Sequence, residues 1–185
     1  MIGPEVALSL TTGSFNVAVG RRALQNDQQG SRNVAIGYNA LFAQQFTTAT
    51  TAYNIAIGFD AGQAITTGTS NTIVGSLAGD AMTTGDNNTI LGFQTAGGGT
   101  ITGGQNTAVG TTAGFSLSGG DNNTLLGFDA GRTGSPGGQL TTGNNQIFLG
   151  DENVVAIYAA VSSISTSVDR DWETQEVCYY LHRLN

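Results

Sequence analysis

The sequence predicts an all-β chain, a parallel β-solenoid or β-roll of repeats about 17 residues long. Three observations predict it. A short unit, asparagine, three residues, then glycine, recurs along the chain at a nearly constant step. The residues inside the unit are small or β-branched, which favours short strands over helices. The stretches between units are rich in Thr, Gly, Asn and Asp, which form turns. The segment "TTGDNNTILGFQTAGG" from Thr83 nearly repeats "TTGTSNTIVGSLAGD", which starts 17 residues earlier at Thr66. A period this short excludes helix-pair solenoids, whose units run to about 33 residues or more.

Residues 1–10, "MIGPEVALSL", read as a lead-in without a basic start or a long apolar run, so no secretory signal is expected. Residues 11–150 carry eight repeats. They are "NVAVG" at Asn16, "NVAIG" at Asn33, "NIAIG" at Asn54, "NTIVG" at Asn71, "NTILG" at Asn88, "NTAVG" at Asn106, "NTLLG" at Asn123, and "NQIFLG" at Asn145 with one extra residue. The steps between these asparagines are 17, 21, 17, 17, 18, 17 and 22. The two long steps place insertions around Phe42–Thr51 and Thr133–Gln139, the second including Pro136. Insertions in a solenoid bulge from one face, often the binding face. Residues 151–185 form a strand segment and a small cap, in which Trp172, Val177, Tyr180, Leu181 and Leu184 lie near helical spacing.

Stacking these units places like residue on like residue, roughly 4.8 Å apart. Asn16, Asn33, Asn54, Asn71, Asn88, Asn106 and Asn123 are expected to form a hydrogen-bonded ladder. Gly20, Gly37, Gly58, Gly75, Gly92, Gly110 and Gly127 are expected to occupy corners that need positive φ or leave no room for a Cβ. Seven residues after each asparagine stands a small residue: Ala23, Ala40, Ala61, Ala78, Thr95, Ala113 or Ala130.

The strand positions two and three residues after asparagine are both apolar, as in Ala56 and Ile57 or Ile73 and Val74. Neighbouring strand residues face opposite sides, so both faces are expected to be covered. One fills the coil. The other meets a partner chain, or a loop of the same chain. A homo-oligomer follows from the first choice, and a threefold one suits an elongated rod.

Composition narrows the function classes. The net charge of -7 and the absence of a basic cluster argue against nucleic-acid binding. No segment is apolar for long enough to span a membrane as a helix. One cysteine, Cys178, and one histidine, His182, supply neither an internal disulfide nor a zinc site. Asp86-Asn87-Asn88 and Asp121-Asn122-Asn123 read as turns feeding the asparagine ladder rather than as calcium ligands. Asp60 and Asp129 share one repeat position with Arg22, Asn39 and Gln94, which reads as solvated surface rather than a glycosidase carboxylate pair. No enzyme, cofactor or metal is expected. Tyr38, Phe59, Phe93 and Phe128 follow the corner glycine in four repeats and read as packing, within or between chains, before sugar stacking.

The units "NVAIGYNAL", "NIAIGFDAG" and "NTAVGTTAG", with their "TTG" returns, resemble the repeats of bacteriophage tail-fibre proteins. They are also similar to the head repeats of trimeric autotransporter adhesins, with units like "SVAIGxxA". Both families are homotrimers of stacked β-coils, and the resemblance covers about Thr11 to Gly150. "QIFLGDENVVAIYAAVSSISTSVDRD" looks like the junction before an endosialidase-type intramolecular chaperone, which cleaves itself off at a Ser-Asp-x-Arg sequence. The corresponding stretch here is Ser167, Val168, Asp169, Arg170, with Val168 where the family's serine would stand. Only 16 residues follow Asp169, far short of a chaperone, so self-cleavage is not expected.

The resemblance implies a homotrimeric fibre of a phage tail or similar virion appendage, located on the virion. Its partners would be its own copies, other tail proteins, and a host surface glycan or protein receptor. A bacterial trimeric surface adhesin head is the alternative. An ice-binding solenoid and a polysaccharide-cleaving tail spike rank below it.

Overall fold

The computed structural model describes residues 1–135 and 137–155. Among them there is no helix, and the strands are parallel. The main strands are β1 (Val17–Val19), β3 (Val34–Ile36), β5 (Ile55–Ile57), β6 (Thr72–Val74), β7 (Thr89–Leu91), β8 (Thr107–Val109), β9 (Thr124–Leu126) and β10 (Ile147–Leu149). They stack in chain order into one 8-stranded sheet. A 2-stranded sheet pairs β2 (Gly30–Ser31) with β4 (Thr50–Thr51) beside the first insertion.

Each main strand has 3 residues because its ends are set by backbone conformation. The residue before the ladder asparagine is left-handed in every repeat, from Phe15 (φ 60°) to Asn122 (φ 54°). In the first seven main strands the corner glycine closes the strand at φ between 109° (Gly127) and 144° (Gly58), a region closed to L side chains. A Cβ on Gly20 would lie 2.5 Å from the carbonyl oxygen of Gly37 in the next coil. The same collision recurs at Gly37, Gly58, Gly75 and Gly110, each against the glycine of the following coil.

Hydrogen bonds run between coils, in the turns as well as the strands. Thr72 N donates to Asn88 O at 2.8 Å and Gly92 N to Val74 O at 2.9 Å. In the following turn Leu24 N donates to Ala40 O and Gly79 N to Thr95 O, both at 2.9 Å. Turn amides therefore find partners as regularly as strand amides, so short strands suffice.

The interior is filled by the middle residue of each strand: Ala18, Ala35, Ala56, Ile73, Ile90, Ala108, Leu125 and Phe148 are all buried. The small residues Ala23, Ala40, Ala61, Ala78, Thr95, Ala113 and Ala130 are buried as well. In several coils a large residue on one side of the interior is matched by a small one on the other. Where the strand offers Ala18 or Ala35, the turn supplies Leu24 or Leu41. Where it offers Ile73 or Leu125, the turn supplies Gly79 or Gly131, over which those side chains lie. A cross-section only a few residues wide tolerates little change in volume, and where both positions are small, at Ala56 with Gly62 and Ala108 with Gly114, Ile73 and Leu125 of the following coil reach over the glycine.

Three features depart from the sequence reading. The eighth strand is not offset by an extra residue. Ile147 pairs with Thr124, and Gln146 N donates to Asn123 Oδ1 at 3.0 Å, so Gln146, not Asn145, takes the ladder position. Asn145 stacks instead on Asn122, whose Nδ2 donates to its Oδ1 at 2.8 Å. Second, the lead-in joins the stack: Ile2 bridges Val19, Gly3 lies at φ 129°, and Ala7 N donates to Ala23 O at 2.9 Å. The pair Ile2-Gly3 was the available signal. Third, the interior position held by Ile65, Met82, Ile101 and Leu117 holds Asp27 and Gln44 in two earlier coils. The strand, helix and cap expected beyond residue 155, with Ser167–Arg170, Cys178 and His182, lie outside the described residues.

Candidate interaction surface

The asparagine ladder is continuous. Asn33, Asn54, Asn71, Asn88, Asn106 and Asn123 each donate their backbone N–H to the Oδ1 of the asparagine one coil earlier, at 2.9–3.0 Å. Most side-chain amides also donate to the carbonyl of a glycine three residues before the next ladder position, as Asn71 does to Gly85 at 2.8 Å. Those glycines form a second stack: Gly68 faces Gly85 so closely that a Cβ would come within 2.5 Å of its carbonyl oxygen. The ladder residues are buried, Asn16 at its start being only partly so. They hold coils in register and expose nothing for chemistry.

Shorter runs of opposite polarity lie two residues before the ladder position in some coils, broken at Ala52 and between Asp86 and Gly104. Ser14 N donates to Ser31 Oγ at 3.0 Å, Thr69 N to Asp86 Oδ1 at 2.6 Å, and Gly104 N to Asp121 Oδ1 at 2.7 Å. The acids of the two Asp-Asn-Asn stretches thus accept backbone N–H groups. Among the described residues no group of three or more His, Cys, Asp or Glu side chains is placed to hold a metal ion.

The outward face of the sheet is uncovered by the described residues. The third residue of each strand points out, with Ile57 37%, Leu91 45% and Leu126 39% exposed. Beside this aliphatic column, Phe59, Phe93 and Phe128 are each about half exposed, and Tyr38 stacks on Phe59 at 5.3 Å with an interplanar angle of 10°. These aromatics belong to the outside of the coil and not to its core. The first residue of each strand also points out, as Val17, Val34 and Ile55 in early coils and as Thr72, Thr89, Thr107 and Thr124 in later ones.

Four arginines lie among the described residues. Arg21 and Arg22 both approach Glu5, and Arg132 pairs with Asp129 at 2.7 Å while lying over the Phe115 ring. Arg32 has no such partner and sits between two rings, 4.9 Å from the Phe15 centroid and 6.0 Å from that of Tyr53.

The insertions are tied to the coil. Beside the first, Asp27 of the preceding coil is fully buried; its Oδ1 accepts from Gly30 N and Phe46 N, both at 3.1 Å, and its Oδ2 from Gln44 Nε2 at 2.8 Å. Gln44 Oε1 accepts in turn from Asn54 Nδ2 at 2.8 Å. Charge periodicity alone could not have shown that Asp27 points inward. The second insertion is held by Ser135, whose hydroxyl donates to Asp129 O at 2.8 Å, and by Leu140 N, which donates to Gly131 O at 2.9 Å.

Two carboxylates are perturbed in opposite directions. Burial pushes Asp80 above the ordinary value, against backbone N–H groups that lower it, and the charge of Asp60 adds to the rise. Burial also acts on Asp129, but the Thr112 hydroxyl and Arg132 outweigh it and hold the group below the ordinary value. Asp60 and Asp129 occupy equivalent turns in different coils and form no facing pair; Asp60 accepts from Asn39 Nδ2 at 2.9 Å.

No helix among the described residues is long and apolar enough to cross a membrane. Comparison with protein-family models, with curated proteins and with solved structures finds no match for this chain.

Proposed function

We propose that the chain is a segment of a homotrimeric structural fibre, belonging to a phage tail or a similar virion appendage, that extends toward a host surface and helps attach to it. The observation that carries this reading is the uninterrupted outward column Val19, Ile36, Ile57, Val74, Leu91, Val109 and Leu126, flanked by Phe59, Phe93 and Phe128. Apolar stripes of this length on a soluble surface mark interaction sites. Because the column repeats with the coil, its natural complement is the same column on an identical chain, and three such rods close as a ring without a free edge. The repeat resemblance supports the same assembly. Each surface feature would then be presented three times, and weak contacts with a host glycan or protein would add through avidity. Other tail proteins would join the rod at its ends. No catalytic step belongs to this function.

The test is mass in solution, followed by electrophoresis in SDS with and without boiling. A species of three chains that resists SDS until heated is expected. A single-chain mass at micromolar concentration overturns the fibre. The bacterial adhesin head makes the same trimer and is separated from it by whether antibodies label virions or cell envelopes. One observation favours a different, monomeric reading. Thr72, Thr89, Thr107 and Thr124 form a regular outward array beside the aliphatic column, the kind of flat face that orders water on ice. Thermal hysteresis from a monomeric sample would establish that reading in place of the fibre.

A further inference from the structure

The position just before the ladder asparagine is left-handed in every coil. In the later coils it is filled by Ser70, Asn87, Gln105, Asn122 and Asn145. Asn87, Asn122 and Asn145 lie at φ 58°, 54° and 58°. In the first three coils the same position holds Phe15, Arg32 and Tyr53, at φ 60°, 64° and 53°. Bulky left-handed residues occur at other turn positions too, among them Arg22, Leu24, Leu41 and Leu77, so what sets these three apart is their exposure and their neighbours.

What they form is a column with Arg32 in the middle. Phe15 is 76% exposed and Tyr53 56% exposed, so each ring offers area to solvent. The Arg32 guanidinium is steadied by both rings, yet among the described residues no carboxylate pairs with it. Its backbone N–H is spent on Ser14 O at 2.9 Å, so the side-chain donors are what remains for a ligand. The column lies before the strand, whereas the Phe59, Phe93 and Phe128 column lies after it. The two margins of the sheet can therefore serve different partners.

We propose that Phe15, Arg32 and Tyr53 form a subsite for a carboxylate-bearing sugar of an acidic surface glycan. Arg32 grips the carboxylate through paired N–H donors, and the exposed rings receive the apolar faces of adjoining sugars. A peptide strand fits less well, because the backbone here is already paired between coils and offers no edge to extend. The column spans two coil spacings, about 10 Å, enough for two or three sugar units in line. The inference rests on the attachment function proposed above and names its ligand.

The experiment is calorimetric titration of the full chain with oligomers of galacturonate, glucuronate and N-acetylneuraminate, each run beside its methyl ester. The esters keep the rings and remove the charge. At least one acid should bind, and its ester should bind about tenfold more weakly or worse. Arg32→Gln and Phe15→Ser should each cost a similar factor without shifting the thermal unfolding midpoint, while Arg21→Gln should leave binding unchanged. Equal binding of acid and ester, binding that survives Arg32→Gln, or no binding across the panel overturns the subsite. The mass of the same sample is measured in parallel. A trimer that ignores every acid sinks the subsite alone, and a monomer that binds one sinks the fibre alone.

Discussion

Gly110 and Gly114 stand in one turn, both at positive φ, yet their demands differ. Gly110 lies at φ 133°, and a Cβ there would reach to 2.5 Å from Gly127 O. Gly114 lies at φ 63°, with its nearest prospective neighbours, Ala108 and Leu125 side-chain carbons, at 3.6 Å; the equivalent residue one coil earlier is already Ala96. Gly110→Ala should therefore cost about 3 kcal/mol or more, and Gly114→Ala less than about 1 kcal/mol, in urea unfolding. Equal costs would mean that glycine serves only flexibility here. Asp80 and Asp129 give a second residue-scale test, with opposite signs. Asp80 is raised in the folded state, so it lowers stability as pH rises from the ordinary carboxylate range through its folded value. Asp80→Asn should raise the unfolding midpoint at neutral pH, and the gain should fade in acid. Asp129 is lowered, so its contribution is present at neutral pH and is lost as pH falls through its folded value. Asp129→Asn should lower the midpoint at neutral pH and have no effect in strong acid.

At the scale of the coil, the repeat is least like itself at Asp27 and Gln44. A buried carboxylate and a buried amide replace the aliphatics found elsewhere in that column, and they anchor the first insertion through Phe46 N. Asp27→Leu alone should destabilise by about 2–4 kcal/mol, since it leaves Gln44 Nε2 and two backbone N–H groups without an acceptor. Adding Gln44→Leu should restore only part of that loss, because it removes the orphaned Gln44 amide but takes the acceptor from one Asn54 Nδ2 hydrogen. A double variant no more stable than Asp27→Leu would show that the backbone donors dominate. The ladder asparagines were legible from spacing because each does the same task in every coil. Asp27 was not, because a single departure from a repeat looks the same in sequence whether it points in or out.

For the whole molecule the decisive distinction is between neighbours such as Ile90 and Leu91. Ile90 is buried within the coil, while Leu91 faces outward at 45% exposure. Ile90→Asp should prevent folding by placing a charge in the core. Leu91→Asp should leave the β circular dichroism intact and reduce the proposed trimer to single chains in sedimentation. A folded trimer with Asp at position 91 would remove the outward column from the proposed interface. Ala56, equivalent to Ile90, tests the interior alone; Ile57 and Leu91 test the proposed contact between chains.

By itself the sequence determined the stack: a step of about 17, an asparagine column, a glycine column, and strands too short to be anything but rungs. Repetition makes this possible, because any preference expressed in seven coils is read seven times. Only the tertiary structure decided which of two adjacent apolar residues faces in, since alternation separates them without choosing a side. It also moved the last rung from Asn145 to Gln146 and drew Ile2 and Gly3 into the stack. Those outcomes depend on hydrogen bonds made to the neighbouring coil, which no local stretch of chain contains.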